Sequence, residues 1–375
     1  MTTFTSSDSD IDPSDIDPSG IDPSGIDPSG IPPIASNKAA VLYGVHDLRI
    51  EQRPIPEPAP GEVLVAIRSV GVCGSDVHYY NEGRIGSFVL DSPTIMGHES
   101  SGVIVGVGDQ VDTLHIGQRV ALEPGVPCGT CTQCRLGRYN LCPDMKFFAS
   151  PPVDGAFVQY LTINQHFAYP VPDTLSDDAA ALMEPFSVGI WACHKAGVAA
   201  GARVLVTGAG PIGVMALQAA NAFGATEVIV TDTNTYRLER AVSLGASRAV
   251  DVSGEDDLSA QVAADILIEC SGAPQALMQG MKCLSPAGIA VAVGMASSDD
   301  LLVPMSVIQS KELTLTGTFR YANTYPVAIS LAAAGRVDLD ACVTGYYSLD
   351  ETEAAFLAAK SDPRVLKSVV RPNGI

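Results

Sequence analysis

The stretch VLVTGAGPIGVMALQAANAFGATEVIVTD (204–232) decides the fold, because it joins two apolar strands through a glycine-rich turn and a small-residue helix. The turn GAGPIG (208–213) follows the first strand and opens the helix, which is the context that a dinucleotide-binding fingerprint requires. The second strand ends at Asp232, nineteen residues after Gly213. A carboxylate there binds ribose hydroxyls and repels a 2′-phosphate, so it favours NAD over NADP.

The predicted cofactor contacts follow from this motif. The first glycine allows a tight turn, the second lets the backbone approach a pyrophosphate, and the third lets the helix pack on the strand. NADP stays open as the alternative because Arg237, a basic residue near the end of the second strand, could lie along the adenosine. The residues assigned to the cofactor are Gly208, Gly210, Pro211, Ile212, Gly213, Asp232 and Arg237.

A membrane span is the competing interpretation of part of this stretch, since residues 204–226 carry no charged side chain. The segment contains several glycines, a proline and two amide side chains. That composition is unusual for a span and favours a buried strand, turn and helix.

The wider pattern predicts an α/β protein of two domains. Between about 187 and 318, six β-rich runs recur, and helix-like stretches at 236–244 and 274–284 separate several of them. Apolar strands alternating with helices predict a doubly wound parallel sheet covered on both faces. Residues 37–186 show short alternating strands bounded by glycines, as in GEVLVAIRSVGVC (61–73), and these predict a β-rich domain.

The two ends of the chain differ in character. Residues 319–375 contain a predicted helix at 349–360 and a strand near 365–370, which could complete either domain. Residues 1–36 contain IDPSD once and IDPSG three times, a repeat with too few apolar residues to bury. The repeat predicts a disordered tail. A partner-binding role for it stays open.

Charge and targeting signals exclude several classes of function. The 375-residue chain has a formal charge of −20, and seven of its acidic residues lie in the tail. Nucleic-acid binding needs clustered Lys and Arg. A chain as acidic as this one is therefore not expected to bind nucleic acid. The start of the sequence shows neither the basic nor the apolar region of a signal peptide, which predicts a cytoplasmic location.

Four of the nine cysteines crowd into one short segment with the spacing C-x2-C-x2-C-x7-C. Four thiolates so close can surround one tetrahedral ion and predict a closed, structural zinc site. An iron–sulfur cluster is the alternative, although the bacterial ferredoxin motif has a shorter fourth spacing. The predicted structural ligands are Cys128, Cys131, Cys134 and Cys142.

A second constellation is spread along the chain. Cys73 lies in GVCGSDVH (71–78), His98 and Glu99 lie in IMGHESSG (95–102), and Glu184 follows much later. A thiolate, an imidazole and a carboxylate form a three-ligand set with an open fourth position. Open zinc sites are the catalytic ones.

Taken together, these segments resemble the zinc-dependent medium-chain alcohol dehydrogenases. The motif GHE-x2-G-x5-G (97–108), the Cys-Gly-Ser-Asp-x-His run and the four-cysteine segment occur in the same order in that family. Four longer segments look like its sorbitol and xylitol (polyol) dehydrogenase branch: GRIGSFVLDSP (83–93), YNLCPDMKFFASPPVDGAF (139–157), EPFSVGIWAC (184–193) and TFRYANTYPVA (318–328). The resemblance covers residues 38–370.

The resemblance implies a GroES-like catalytic domain built from 37–186 and 319–375, with a Rossmann domain (187–318) inserted between them. It implies that Cys73, His98 and Glu99 bind the catalytic zinc. It places Glu184 at the metal or its bound water, with direct ligation left open. It also implies a homotetramer.

The resemblance further implies a reaction, the transfer of a hydride from a secondary hydroxyl of a polyol to NAD. It places Tyr79, Phe147, Arg320 and Tyr321 around the substrate, with Phe147 as an apolar wall. Ser75 and His78 follow Cys73 closely enough to relay the proton. The alternatives are a related zinc dehydrogenase that acts on threonine, butanediol or arabinitol, and a non-catalytic protein that binds NAD and zinc.

Overall fold

The computed structural model describes residues 36–254, 257–296 and 301–374. The predicted disordered tail, residues 1–36, lies outside the described residues except for Ser36.

The first part of the chain is β-rich, as predicted. Its strands are β1 (Asn37–Gly44), β2 (Asp47–Arg53), β3 (Glu62–Gly71), β4 (Arg84–Ile85), β5 (Phe88–Val89), β6 (Thr94–Ile95), β7 (Glu99–Val107), β8 (Arg119–Leu122), β9 (Gly125–Val126), β10 (Lys146–Phe147), β11 (Tyr160–Asn164) and β12 (Ala168–Pro170). Its helices are α1 (Gly74–Glu82), α2 (Thr132–Arg135) and α3 (Asp177–Ala181). Short 3-10 turns occupy Tyr139–Leu141 and Gln165–Phe167.

Strands and helices alternate in the middle of the chain. In order these are α4 (Met183–Ala196), β13 (Arg203–Thr207), α5 (Pro211–Ala222), β14 (Glu227–Asp232), α6 (Thr235–Ser243), β15 (Arg248–Asp251), β16 (Ala264–Glu269), α7 (Pro274–Cys283), β17 (Leu284–Ala292), α8 (Met305–Lys311) and β18 (Thr314–Gly317). The last elements are α9 (Tyr325–Ala333), β19 (Val343–Ser348), α10 (Thr352–Ser361) and β20 (Lys367–Arg371).

The middle part forms the predicted doubly wound parallel sheet. Each of the six β-rich runs becomes a strand, in the order β15-β14-β13-β16-β17-β18, and all neighbouring strands are parallel. Val204 and Val206 pack with α4 and α5 on one face, whereas Leu205 packs with α7 and α8 on the other. The strand order reverses between β13 and β16, and ligands of such sheets bind in the crevice outside the carboxyl ends of the strands at that point.

The uncharged segment 204–226 forms strand β13 and helix α5, as the strand–turn–helix interpretation predicts. Helix α5 begins with Pro211 at its first position, where the missing N–H of proline is harmless. Gly189 of α4 lets the two helices approach closely, since a Cβ added there would lie 2.8 Å from the backbone of Met215 in α5. Among the described residues, the structure has no helix long and apolar enough to cross a membrane.

The end of the chain returns to the first part. Strand β20 pairs antiparallel with β3 and parallel with β19, which completes the sheet β12-β8-β7-β3-β20-β19; β11 also pairs with β3. The predicted C-terminal strand therefore exists but begins at Lys367, and the predicted C-terminal helix begins with a 3-10 turn before α10. Helix α4 runs across the predicted boundary between 186 and 187, so the exact domain limits stay a prediction.

Candidate functional site

The spread-out ligand candidates meet where β3 and β7 pair. Cys73 is the N-cap of α1, directly after β3, and Glu99 is the first residue of β7, opposite Gly71 in the antiparallel register. The Cys73 thiol, one ring nitrogen of His98 and one Glu99 oxygen all lie within 4.8 Å of one another. This donor set fits a zinc ion with an open position. A Cβ on Gly71 would lie 2.1 Å from Glu99 Oε2, so glycine leaves room for the carboxylate.

The fully buried carboxylate of Asp76 joins the segment that carries Cys73 to the segment that carries His98 and Glu99. Its Oδ2 accepts a hydrogen bond from the backbone N–H of Cys73 at 2.9 Å, and its Oδ1 accepts one from Gly97 at 3.0 Å. Oδ1 also lies 3.9 Å from Nδ1 of His98. Burial raises the pKa of Asp76, and the neighbouring His98 works against that shift. Sequence reasoning missed this residue, although an acidic residue three positions after an N-cap is a capping-box signal.

Lys367 is the second residue that sequence reasoning missed. Its Nζ lies 2.7 Å from both oxygens of Glu99 and donates to the carbonyl of Val72 at 2.9 Å. Both side chains are almost completely buried, with exposed fractions of 2% and 0%. Burial lowers the pKa of Lys367, but the charge and hydrogen bond of Glu99, together with the nearby Cys73 and Glu184, outweigh burial and leave that pKa raised. Lysine therefore neutralises the carboxylate. No local pattern in the sequence connects residues at opposite ends of the chain.

Glu184 lies near this cluster, in the first turn of α4. The hydroxyl of Tyr321 donates a hydrogen bond to its Oε1 at 2.9 Å. Burial raises the pKa of Glu184 to about 8, whereas the nearby His98 lowers it. Its oxygens do not join the three donors that lie within 4.8 Å of one another, so direct ligation stays a prediction.

The other predicted substrate residues surround the same space. The guanidinium of Arg320 lies 3.8 Å from the ring centroid of Phe147, and that ring lies 5.6 Å from the His98 ring. Tyr79 is buried close to Arg320, and a negative charge on its phenol oxygen would raise the pKa of the guanidinium. Burial lowers the pKa of Arg320. The four residues predicted to contact the substrate, Tyr79, Phe147, Arg320 and Tyr321, are thus brought together.

The two predicted relay residues lie on α1 but face different surroundings. The hydroxyl of Ser75 is hydrogen-bonded to the Cys73 thiol and lowers its pKa, although burial dominates and raises that pKa to about 11. The His78 side chain is 51% exposed, and its Nδ1 lies 3.3 Å from Glu82. No hydrogen bond joins Ser75 to His78 in the described part of the chain. A relay would need a group between them, and it stays a prediction.

The four-cysteine segment forms a compact loop around α2. Its four thiols lie within 4.8 Å of one another, and the Cys131 and Cys134 sulfurs are 3.4 Å apart. Backbone N–H groups point at the sulfurs, as with Cys131 donating to Cys128 at 3.4 Å. N–H donors from Thr130 and Cys131 lower the pKa of Cys128 to about 6. All nine cysteines are free, so this donor set fits one tetrahedral metal ion.

The cofactor motif adopts the predicted cradle. A Cβ on Gly213 would lie 1.8 Å from the carbonyl oxygen of Gly208, so a side chain there would block the turn. Gly210 is the N-cap of α5, and Arg237 Nη1 lies 4.0 Å from the place where its Cβ would be. Pro211 and Ile212 form the first turn.

Asp232, at the end of β14, already orders the backbone of this cradle. Its Oδ2 accepts from Ala209 N at 2.7 Å and its Oδ1 from Asn234 N at 2.8 Å. A cavity of about 320 Å³ opens beside it, at the carboxyl ends of the strands. The geometry fits the adenosine end of a dinucleotide on a helix N-terminus.

Comparisons with known proteins agree with this geometry. Residues 59–173 match the alcohol dehydrogenase GroES-like domain, and residues 211–334 match the zinc-binding dehydrogenase family. Sorbitol dehydrogenase of Bacillus subtilis (strain 168) is 43% identical over 343 residues, which cover 90% of this chain and 97% of that protein. The chain belongs to the zinc-dependent alcohol dehydrogenase family.

Two further relatives of this dehydrogenase cover most of its length. Sorbitol dehydrogenase of Bos taurus is 43% identical over 332 residues, or 86% of this chain and 93% of that one. A crystal structure of an Escherichia coli oxidoreductase of unknown specificity superposes with a TM-score of 0.85 at 35% identity, covering 90% of this chain and 99% of that one. The predicted family, fold class, zinc and nicotinamide cofactors and enzyme class are confirmed.

One hydrogen-bond network of this dehydrogenase links the four-cysteine loop to the substrate segment. The hydroxyl of Tyr139 donates to Glu123 at 2.8 Å and accepts the backbone N–H of Asn323 at 2.7 Å. The amide of Asn323 donates to the carbonyl of Gly137 at 2.9 Å. The Tyr169 hydroxyl donates to the other oxygen of Glu123 at 2.9 Å. Sequence reasoning missed this network, because its members lie on four separate segments.

Proposed function

We propose that the protein oxidises a secondary hydroxyl of a polyol, sorbitol or xylitol, to the ketose with NAD as the hydride acceptor. The observation that carries the proposal is the group of hydrogen-bonding side chains beside the three-donor cluster, namely Arg320, Tyr321 and Glu184. Relatives named sorbitol dehydrogenase at 43% identity support it. In the balanced reaction, R₂CHOH and NAD⁺ give R₂C=O, NADH and a proton.

Cys73, His98 and Glu99 would hold the catalytic zinc ion. A bound zinc ion supplies Lewis acidity toward the substrate oxygen and so favours loss of its proton. In the proposed relay, Ser75 accepts this proton as it gives up its own hydroxyl proton to a group between it and the exposed His78, which releases a proton to solvent. Hydride transfer itself is the chemistry of the nicotinamide ring.

Specificity for polyols comes from the residues around the cluster. Arg320, Tyr321 and Glu184 bind the additional hydroxyls, and Phe147 keeps water away from the reacting carbon. Simple alcohols leave these polar groups unpaired in a buried site, so they react poorly.

The proposed assembly is a homotetramer. Strand β18 is an edge strand of the Rossmann sheet and carries Leu315, which is 40% exposed. Met295, Met305 and Phe319, near the ends of the same sheet edge, are 60%, 56% and 47% exposed. Edge strands with apolar side chains are usually covered, so a second copy along β18 accounts for them and supplies one of the interfaces that a tetramer needs.

The proposed location is the reducing cytoplasm. All nine cysteines of the chain are free, including the four clustered thiols, which would oxidise readily in an oxidising compartment.

The test is NADH formation with a panel of polyols, butanediol, threonine and simple alcohols, each with and without a strong chelator. Chelator-sensitive turnover of sorbitol or xylitol, with little on ethanol, supports the proposal. Turnover confined to threonine or butanediol would replace it with the related dehydrogenase. Protein that binds NAD and zinc but oxidises none of these alcohols would be non-catalytic.

A pair of variants tests the catalytic metal site. Cys73→Ser should abolish turnover and keep NAD binding. Cys283→Ser is the control, because it makes the same thiol-to-hydroxyl change at a free cysteine in the Rossmann core, at the end of α7. Full activity in Cys73→Ser would refute the zinc mechanism.

A further inference from the structure

A buried carboxylate that neither the metal site nor the substrate site uses lies at the end of β16. Glu269 is only 3% exposed, and it forms no ion pair with any residue that the structure describes. A buried charge without a countercharge is costly unless hydrogen bonds stabilise it. The hydrogen bonds that Glu269 accepts therefore have to stabilise its charge.

In the described part of the chain, the side-chain hydrogen bonds of Glu269 go to the loop after β16 and to Thr207, the last residue of β13. Oε1 accepts from the backbone N–H of Ser271 at 2.7 Å, from its hydroxyl at 2.5 Å and from the N–H of Gly272 at 3.0 Å. Oε2 lies 3.3 Å from the same Gly272 nitrogen, and the Thr207 hydroxyl reaches Oε1 at 3.4 Å. Thr207 is the neighbour of Glu269 in the parallel register and the last residue before Gly208.

The loop after β16 packs directly against the glycine turn after β13 and against the loop after β17, backbone to backbone. A Cβ on Gly208, the first glycine of the cofactor turn, would lie 3.0 Å from the backbone of Ser271. A Cβ on Gly272 would lie 2.1 Å from the carbonyl of Met295, and one on Gly294 would lie 2.2 Å from the Gly272 nitrogen. The loops after β13, β16 and β17 are therefore tightly packed against one another, and a shift of one loop displaces the others.

These loops also form the cofactor cavity. Ser271 and Ala273 line it together with Gly208 and Asp232, so the segment held by Glu269 faces the predicted adenosine site. The Ser271 hydroxyl in turn accepts the N–H of Ala273 at 3.1 Å, which extends the order to the first turn of α7.

We propose that Glu269 is a positioning residue for the dinucleotide: its carboxylate sets the wall formed by 271–273 against the glycine turn, and thereby sets the affinity for NAD. It does not contact the reacting atoms. The inference rests on the nicotinamide cofactor of the family and not on the identity of the polyol.

The test measures binding of NAD and of ADP-ribose to the full-length protein by calorimetry, without any alcohol present. Glu269→Ala should raise both dissociation constants about ten- to hundred-fold, since several donors lose their acceptor. Glu269→Gln should raise them less, about three- to ten-fold, because one carbonyl oxygen can keep the Oε1 contacts while its NH₂ opposes the Gly272 N–H. The polyol KM at saturating NAD should stay within about two-fold of the wild-type value.

Asp265→Ala is the matched control. Asp265 lies on the same strand, and its carboxylate accepts hydrogen bonds from Arg203 at 2.8 Å and 3.2 Å at the opposite edge of the sheet. Its loss should lower the melting temperature and leave NAD affinity unchanged. Folded Glu269→Ala with wild-type NAD affinity would overturn the proposal. If that variant does not fold, an unchanged affinity in Glu269→Gln overturns it instead. Because the binding measurements use no polyol, their result is independent of the proposed substrate.

Discussion

Replacing Lys367 by methionine removes the cation from the most buried ion pair among the described residues, while keeping an unbranched side chain of similar length. The variant leaves Glu99 with neither of its two contacts to Nζ, each 2.7 Å long, in surroundings where the carboxylate is 0% exposed. The carbonyl of Val72 also loses a donor. The loss falls on a candidate metal ligand, so its size should depend on zinc.

The magnitude follows from the burial of both partners. Breaking one partner out of a buried ion pair costs about 3–5 kcal/mol, because the remaining charge stays buried and unpaired. For a domain of this size that corresponds to a fall in melting temperature of about 6–20 °C. A zinc ion on Glu99 would supply a replacement positive charge, so the loss should be smaller in zinc-loaded protein than in stripped protein.

The assay compares melting temperatures of wild-type and Lys367→Met protein, each stripped with a chelator and then reloaded with zinc. The control is Lys38→Met, which removes a surface pair with Asp350 whose side chains are 35% and 60% exposed. Such a pair is worth about 0–1 kcal/mol. A second substitution, Glu99→Gln, should recover part of the loss in stripped protein. Equal melting temperatures of stripped Lys367→Met and Lys38→Met would refute this reasoning.

Two further predictions concern the network around Glu123. Tyr139→Phe removes the acceptor of the Asn323 N–H and should raise the polyol KM about ten-fold. Tyr169→Phe should have a smaller effect, because the hydroxyl of Tyr169 donates to Glu123 and makes no hydrogen bond to the substrate segment among the described residues; steady-state kinetics that show equal effects would contradict it. Burial raises the pKa of Glu123 from 4.5 to about 7, so the folded protein keeps this proton to higher pH than the unfolded chain does. The free energy of unfolding should therefore fall by up to about 3 kcal/mol between pH 4.5 and 7, and urea titrations of Glu123→Gln should lack this part of the fall.

Local patterns predicted the parts of the site whose members are close in sequence. The turn at 208–213 carries its own local signal, since a Cβ on Gly213 would lie 1.8 Å from the carbonyl oxygen of Gly208, and Gly208 itself has a φ of 88°. The four cysteines lie within fifteen residues, and their spacing alone brings the thiols together. The six strands of the Rossmann sheet were also predictable, because their apolar runs are short and bounded by helices. The spread-out ligands Cys73, His98 and Glu99 were recognised through the family motif and not through any spacing rule.

Only the tertiary structure decided the pairs that complete the catalytic centre. Lys367 meets Glu99 across 268 residues, Asn323 meets Tyr139 across 184, and Tyr321 meets Glu184 across 137. The first of these contacts depends on the register in which β20 adds to β3, and sheet register is set by the packing of whole strands. The sequence by itself determined the fold class, the cofactor turn and the clustered thiols, since their interactions are local. The charge balance at Glu99 and the link from the four-cysteine loop to the substrate segment arise only when distant strands pair, because no local periodicity encodes which of them become neighbours.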